Sequence, residues 1–349
     1  MKKLYLLLLL SLPVLLLAQP KAGYYDAAVG KTDAALRTAL NSIIKDPSVT
    51  SYNGLWTAYG TTDINPANGK IWDMYSNCSF TLSVDQNRGT TGPECTNYNR
   101  EHSIPQSWFN EASPMVSDAF HVYPTDSKVN GIRSNYPFGE VGSASTTTGN
   151  GSKLGSSNFP SFSGTVFEPI NEYKGDFART YFYMATCYAG KCESWSGGVF
   201  GNQNLGLTAY GKEIFLKWHR LDPVSTKETN RNNAVEKIQD NRNPFIDYPE
   251  LAEYIWGNKK GTPWSLTAGI DELKVEFTLS PNPAKDVLNI NTDEPSISCS
   301  VFNLSGQLLL QQTLNNSQVL SVATLNNGMY LLQVQSGNRK TIQKFIINK

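Results

Sequence analysis

The chain has 349 residues, 40% of them hydrophobic, which is enough for one large or two ordinary domains with real cores. Thirty basic and thirty acidic residues give a formal net charge of zero. This balance argues against a protein that binds a polyanion through positive charge spread over its whole surface, whereas a local basic cleft remains compatible with it.

The N-terminus has the pattern of a secretory signal peptide. Lys2 and Lys3 precede an apolar run over residues 4–17, and Ala18 ends it. The run is too short to span a bilayer, and a buried core helix is disfavoured because the basic start, the leucines and the small residue occur together. No cysteine follows that could carry a lipid. We therefore expect residues 1–18 to be removed and the protein to be a secreted monomer without a stable membrane anchor, with retention at the cell surface as the alternative.

Five cysteines fit an oxidising compartment. Four of them form two close pairs, Cys78 with Cys95 and Cys187 with Cys192, and Cys299 stands alone. The spacing predicts two local disulfides, and buried thiols are the alternative. Metal binding by these cysteines is disfavoured because no histidine lies at ligand spacing beside them.

The first region, residues 19–261, is predicted to be an α+β domain with much irregular structure. Periodic apolar residues and capping signals predict helices that open at Thr32, span residues 176–188, follow Ser225 and lie between Asp247 and Gly257. The stretches 51–99 and 143–167 are rich in Gly, Ser, Thr and Asn and are predicted to be loops with short strands.

A change of composition near residue 265 predicts a linker over residues 262–274. From residue 275 to residue 349 the chain has short apolar or alternating runs separated by turn residues. This pattern predicts a C-terminal all-β sandwich of about seven strands.

Histidine is the side chain whose ordinary pKa lies near neutral pH, which suits a general base. The sequence contains three: His102, His121 and His219. His102 follows Arg100 and Glu101, and metal-assisted cleavage of a phosphodiester needs these groups: a cation for the phosphate, a hard oxygen ligand and a base. Neighbouring residues of a strand point to opposite faces, so Glu101 and His102 can share a site only where the strand ends or bends. Pro105 predicts such a break.

A second cluster predicts a strand at residues 120–123 and a short helix over residues 125–133, opened by Thr125 or Asp126. Asn130 and Arg133, three residues apart, would share one face of that helix. We expect His121 to support this motif from inside.

We expect His219 to be structural or a surface contact. A groove for nucleic acid is a further candidate, although scattered basic residues more often form a solvated face. Its residues would be Trp195, Lys191, Lys212, Lys217 and Arg220.

Three motifs, residues 99–109, 118–140 and 240–250, resemble the bacterial endonuclease I family, whose core is the ββα-metal finger. The resemblance covers residues 25–257. It implies that His102 is the general base, that Glu101 and Asn130 bind Mg²⁺ or another divalent cation, and that Arg133 contacts phosphate. It also implies cleavage of DNA, and often RNA, to leave 5′-phosphate ends.

The C-terminal region resembles the sorting domain of the type IX secretion machinery of Bacteroidetes, on motifs at residues 280–284, 301–307, 325–331 and 344–349. This resemblance implies export across the outer membrane and removal of the domain. A carbohydrate-binding or adhesive module is the alternative, but Tyr330 is the only Tyr or Trp after residue 270.

Three hypotheses follow. The leading one is a secreted, metal-dependent endonuclease with little sequence specificity. The others are a catalytically inactive secreted protein that binds nucleic acid or an adhesion partner, and a phosphodiesterase for small nucleotides. The Glu101 and His102 pair with Asn130 favours the first.

Overall fold

The computed structural model describes residues 20–86, 89, 92–266, 275–303, 306–315, 318–337 and 339–349. The chain divides between Ser265 and Leu266 into two compact units. The predicted signal peptide and residues 267–274 of the predicted linker lie outside the described ranges. Within those ranges no helix is long and apolar enough to cross a membrane.

The first unit mixes helices with short antiparallel strands, so the predicted α+β class is confirmed. Its α-helices are α1 (Asp33–Ile44), α2 (Leu55–Thr62), α3 (Ser127–Arg133), α4 (Lys174–Cys187), α5 (Ala209–Leu221), α6 (Thr226–Gln239), α7 (Pro244–Asp247) and α8 (Leu251–Ile255). Its strands are β1 (Ile64–Asn65), β2 (Lys70–Ile71), β3 (Tyr98–His102), β4 (Val122–Asp126), β5 (Val141–Thr147), β6 (Lys153–Ser157), β7 (Thr165–Glu168), β8 (Phe200–Gly201) and β9 (Gly206–Leu207). Short 3₁₀ helices lie at Asp26–Ala28, Gln106–Phe109, Met115–Ser117, Asn171–Tyr173 and Cys192–Ser194.

The ββα motif is formed by β3, β4 and α3. The two strands pair antiparallel, with His102 opposite Val122, and α3 follows β4 directly and contacts both strands. Asp126 caps the helix, because its side chain accepts hydrogen bonds from the backbone N–H groups of Lys128 and Val129. The 19-residue connection over residues 103–121 therefore closes a hairpin whose ends lie beside one helix.

The predicted strand at residues 120–123 begins two residues later than expected. Phe120 and His121 lie in a turn before β4. Asp118 stabilises that turn, because its Oδ1 accepts a hydrogen bond from the Phe120 N–H. The apolar character of Phe120 thus reflects burial in a turn rather than a place in the ladder.

Most of the predicted helices are confirmed, including the capping box in which Ser225 and Glu228 open α6. The prediction of loops and short strands alone for residues 51–99 was wrong at α2. This helix contains Gly60 and several threonines, which are weak helix formers. Burial of Leu55 and Tyr59 and packing against α6 stabilise it, so tertiary contacts override local preference.

One of the two predicted disulfides is present, between Cys78 and Cys95. The second prediction was wrong, since Cys187 and Cys192 are free and buried. The two thiols are directed at different backbone carbonyls: Cys187 Sγ lies 3.4 Å from Ile44 O, and Cys192 Sγ lies 3.6 Å from Ala185 O. Sequence proximity therefore did not bring the sulfurs together.

The second unit is the predicted β-sandwich. Its strands are β10 (Thr278–Ser280), β11 (Val287–Asn291), β12 (Ser296–Phe302), β13 (Leu308–Asn315), β14 (Val319–Ser321), β15 (Gly328–Ser336) and β16 (Arg339–Ile347). They form sheets ordered β10-β11-β14 and β13-β12-β15-β16. Leu288 and Leu320 of the first sheet share one buried cluster with Cys299, Leu332 and Phe345 of the second.

Candidate active site

The four site residues predicted from the sequence line one cleft of about 560 Å³ that is open to solvent. Glu101 and His102 are the last two residues of β3, and Asn130 and Arg133 lie one turn apart on α3. The strand ends at His102, which lets adjacent side chains reach the same cleft despite the alternation of a strand.

His102 is oriented by a backbone carbonyl. Its Nε2 lies 2.9 Å from Val116 O. A carbonyl oxygen can only accept, so Nε2 carries the proton and donates, which leaves a lone pair on Nδ1. Nδ1 is therefore the ring nitrogen that can accept a proton.

The electrostatic surroundings keep His102 neutral. Burial lowers the pKa of this imidazole to about 3, and the nearby His121, Arg100 and Arg133 contribute to the same direction. The ring of Tyr52 lies beside it, with a centroid separation of 5.6 Å. An uncharged His102 is therefore the ground state at neutral pH.

The loop that supplies the Val116 carbonyl is anchored by buried polar contacts. Asp118 Oδ2 accepts hydrogen bonds from the hydroxyls of Tyr183 and Tyr188 at 2.8 and 2.7 Å. Gln239 Nε2 donates to the other oxygen of Asp118 at 2.9 Å. His121, which is fully buried, bonds through Nε2 to Met115 O at 2.6 Å and so supports the same loop from inside, as expected.

Glu101 is held by two donors on one oxygen. Its Oε1 accepts from the Tyr75 hydroxyl at 2.6 Å and from Arg133 Nη1 at 2.7 Å. Burial raises the pKa of this carboxyl, while the Arg133 charge and the Tyr75 hydrogen bond lower it. The two donors thus fix the orientation of the carboxylate and partly offset the cost of burying it.

Asn130 is oriented through its amide nitrogen. Nδ2 donates to Asn99 Oδ1 at 2.6 Å and to the Arg100 carbonyl at 3.4 Å. The nitrogen is placed on this side of the amide because it faces two oxygens, and the backbone carbonyl can only accept. The amide oxygen is consequently the atom directed away from β3.

Arg133, predicted to contact phosphate, lies inside the protein. It is 1% exposed, and besides its ion pair with Glu101 it donates to the backbone carbonyls of His102 and Ser103 at 2.7 and 2.5 Å. Its charge is therefore shared with Glu101 and with the end of β3. In this arrangement it orients the residues that face the cleft.

The side-chain oxygens in the cleft are suitable ligands for a hard divalent cation. Carboxylate and amide oxygens are the ligands that Mg²⁺ and Ca²⁺ prefer. Glu101 and Asn130 supply one of each, on side chains that hydrogen bonds already orient. Glu101 and Asn130 are the candidate ligands because their oxygens belong to the same cleft. Among the described residues there is no cluster of three or more His, Cys, Asp or Glu that could hold a metal ion.

The structure does not support the candidate groove for nucleic acid that would include Trp195, Lys217 and Arg220. Lys217 is ion-paired with Glu140 at 2.7 Å, and Arg220 is ion-paired with Glu253 at 2.7 Å. Trp195 is buried against Phe109 and Phe200.

His219 is buried and structural rather than a surface contact. Its Nδ1 lies 3.4 Å from Arg179 Nη1.

The model of the family described as Endonuclease I matches residues 32–250. The chain belongs to the endonuclease I family. As a member of this family it is a nuclease. The family is generally dependent on divalent metal ions, in agreement with the oxygen donors of the cleft.

Three relatives of this nuclease are named as extracellular enzymes. It is 37% identical over 239 residues to the extracellular ribonuclease of Bacillus amyloliquefaciens, covering 67% of this chain and 78% of that protein. It is 35% identical over 240 residues to the extracellular ribonuclease of Bacillus subtilis (strain 168), with the same coverage. It is 25% identical over 235 residues to an extracellular deoxyribonuclease of Aeromonas hydrophila, covering 62% of this chain and 89% of that protein.

The second unit matches the family described as the secretion system C-terminal sorting domain, over residues 278–348. The nuclease is therefore a secreted protein that carries a sorting signal of the type IX machinery.

Sequence reasoning missed three groups around the cleft: the Tyr75 hydroxyl, the Val116 carbonyl and the Tyr52 ring. Tyr75 and Tyr52 come from loops that lie 26 and 50 residues before their partners Glu101 and His102. Val116 acts through its backbone, so its side chain carries no signal of the role. Neither periodicity nor a short motif identifies such contacts.

Proposed function

We infer that the protein is a secreted, divalent-metal-dependent endonuclease that hydrolyses the phosphodiester bonds of DNA and RNA with little sequence specificity and leaves 5′-phosphate ends. The observation that carries the proposal is His102 itself. Its Nε2 is committed to the Val116 carbonyl, while Nδ1 keeps its lone pair in a cleft lined by Glu101 and Asn130.

The oxygens of Glu101 and Asn130 would hold Mg²⁺. A bound cation of this kind neutralises the charge of the phosphate and of the leaving oxygen, which contributes several kcal/mol to lowering the barrier. Tyr75 and Arg133 act indirectly by orienting Glu101, and Asn99 does so for Asn130.

His102 activates the attacking water. Its Nδ1 accepts the proton, and the imidazolium that results keeps its Nε2–H bond to Val116 O. General-base catalysis of this kind typically contributes ~10²- to 10⁴-fold to the rate. Burial disfavours the imidazolium, as do His121 and the nearby arginines, and this favours release of the proton to solvent before the next turnover.

Both nucleic acids are proposed as substrates, because the names of the relatives include ribonuclease and deoxyribonuclease. Hydrolysis that depends on a phosphate, a cation and a water uses groups that DNA and RNA have in common. Contacts to the backbone carry no information on base sequence, which supports low specificity.

The test is cleavage of supercoiled plasmid and of single-stranded RNA by the secreted protein with Mg²⁺. We expect chelator to abolish cleavage, His102→Ala to reduce it ~10²- to 10⁴-fold, and His219→Gln, a matched histidine outside the cleft, to retain it. If wild type and His102→Ala leave both substrates equally intact, the protein is an inactive binding protein. Release of product from short dinucleotide analogues without nicking of plasmid would indicate a phosphodiesterase for small nucleotides.

A further inference from the structure

We propose that Arg100, stacked on Tyr52, binds the phosphate backbone of the substrate in the cleft next to His102. The inference rests on the proposed function and adds a substrate-binding residue to it. The phosphate contact implied for Arg133 by family resemblance would thus be made by a different arginine.

The guanidinium of Arg100 is held in a defined plane. Its central carbon lies 3.5 Å from the ring centroid of Tyr52 and 4.7 Å from that of Trp56. Its Nη1 donates to the Tyr52 carbonyl at 2.5 Å and approaches Asn53 Oδ1 at 3.4 Å. A guanidinium fixed by an aromatic face and by a carbonyl loses less entropy when it binds an anion than an unrestrained side chain does.

This arginine is aligned with the proposed base. Arg100 and His102 are two residues apart in β3, so their side chains project from the same face of the strand. The Tyr52 ring lies between them, since it contacts the guanidinium and lies 5.6 Å from the His102 imidazole. All three side chains line the cleft. A phosphate chain running along this wall would pass Arg100 on its way to His102.

Its greater exposure compared with Arg133 favours Arg100 as the residue that contacts the substrate. Arg133 is 1% exposed and is ion-paired with Glu101, whereas Arg100 is only half-buried and so leaves part of its side chain open to the cleft. Arginine suits phosphate because its planar fork matches two phosphate oxygens. Such a contact reads the backbone and not the bases, in keeping with low sequence specificity.

The experiment measures binding of a short DNA duplex by fluorescence anisotropy in the presence of chelator, over a range of salt concentrations. Arg100→Gln is compared with wild type and with Arg220→Gln, which removes the same charge from an arginine that is paired with Glu253 and is not among the cleft residues. We expect Arg100→Gln to weaken binding about tenfold and to reduce the slope of log affinity against log salt by about 0.9. Arg220→Gln should change neither quantity.

Three further variants separate the effect of charge from that of geometry. Arg100→Lys keeps the charge but cannot form the fork, so the salt slope should be retained while affinity falls severalfold. Tyr52→Leu removes the platform and should weaken binding, whereas Tyr52→Phe should not. Thermal melting would show whether Arg100→Gln folds. If it does not, the two Tyr52 variants still test the inference.

In cleavage assays with Mg²⁺, Arg100→Gln should raise KM more than it lowers kcat, because a backbone contact away from the reacting atoms contributes to binding in both ground and transition state. The inference is overturned if Arg100→Gln and Arg220→Gln bind with equal affinity and equal salt slope, or if Tyr52→Leu binds like Tyr52→Phe. The binding assay uses no metal and involves no cleavage, so an inactive but normally binding protein would contradict the proposed function alone.

Discussion

The two units of the chain differ in the number of charged side chains that they bury. In the nuclease unit the buried arginines Arg37, Arg133, Arg179, Arg231 and Arg242 are each ion-paired with a carboxylate. In the second unit the buried cluster is apolar. Among the residues that the structure describes in this unit, Ser300 is the only buried polar one. Replacing buried ion pairs by apolar groups is often neutral or stabilising, so their use in one unit points to orientation of side chains rather than to stability.

The largest effect is expected for Arg133→Met in the nuclease unit. The change leaves the buried Glu101 carboxylate without its cation and removes donors from the His102 and Ser103 carbonyls. We expect the free energy of unfolding to fall by about 3–5 kcal/mol and cleavage to be lost. Denaturant unfolding and the plasmid assay check this.

The double variant Arg133→Met with Glu101→Gln is the control. It removes the uncompensated charge, so stability should partly return while cleavage stays absent. Full stability and activity of the single variant would contradict the orienting role of Arg133.

In the sandwich the corresponding change is Leu332→Ala, which should lower the stability of that unit by about 2–5 kcal/mol because it leaves a cavity in an apolar core. Plasmid cleavage should be unchanged. Ile342→Ala is the matched control, since Ile342 is 56% exposed on the neighbouring strand, and it should cost at most about 0.5 kcal/mol. Equal losses for the two variants would contradict the assignment of the core.

A pH-dependent effect is expected for His219. Burial and the Arg179 charge lower the pKa of this imidazole from 6.5 to about 4, although Glu253 opposes them. Because the folded pKa is lowered, the neutral ring contributes stability above pH 6.5, and this contribution is lost as the pH falls from 6.5 towards 4. The difference corresponds to about 3 kcal/mol.

His219→Gln cannot be protonated, so its stability relative to wild type should rise when unfolding is measured at pH 4.5 instead of pH 7. The comparison of the two proteins at each pH cancels the titration of groups that they share, such as Asp222 and Glu228. A difference in stability that is the same at both pH values would show that protonation of His219 is not coupled to folding.

The smallest effect is expected for Ser225→Ala at the start of α6. The substitution removes the side-chain acceptor of the capping box and should cost about 1 kcal/mol, as measured by thermal or denaturant unfolding. Ser225→Thr retains the acceptor and serves as the control. An unchanged stability for Ser225→Ala would indicate that Arg179, which also binds Glu228, is sufficient to hold this end of the helix.

The sandwich was more predictable from sequence than the nuclease unit. Alternating residues such as Leu288 and Ile290 identify the inner face of β11 directly, because a strand has a period of two. In the nuclease unit, α2 was missed because its local preference is weak, and the Cys187 and Cys192 pair was misjudged because spacing does not determine where the sulfurs point.

The candidate site shows the same division. The end of β3, the cap at Asp126 and the shared face of Asn130 and Arg133 follow from local rules, and the structure brings the predicted residues to one cleft. The inward position of Arg133 and the contacts of Tyr75 and Tyr52 depend on loops distant in sequence. A guanidinium has the same local pattern whether it faces solvent or a buried carboxylate, so its exposure could not be predicted.

The complete burial of helix α4 limits which substitutions the nuclease unit can accept. All fourteen residues of this helix are buried, and Lys174, Asp176 and Arg179 are each ion-paired with a residue of another element. A helix that is buried on every side has no exposed face on which a substitution would leave the stability unchanged. Substitutions in this segment should therefore destabilise the nuclease unit more often than substitutions in the exposed loops around the cleft.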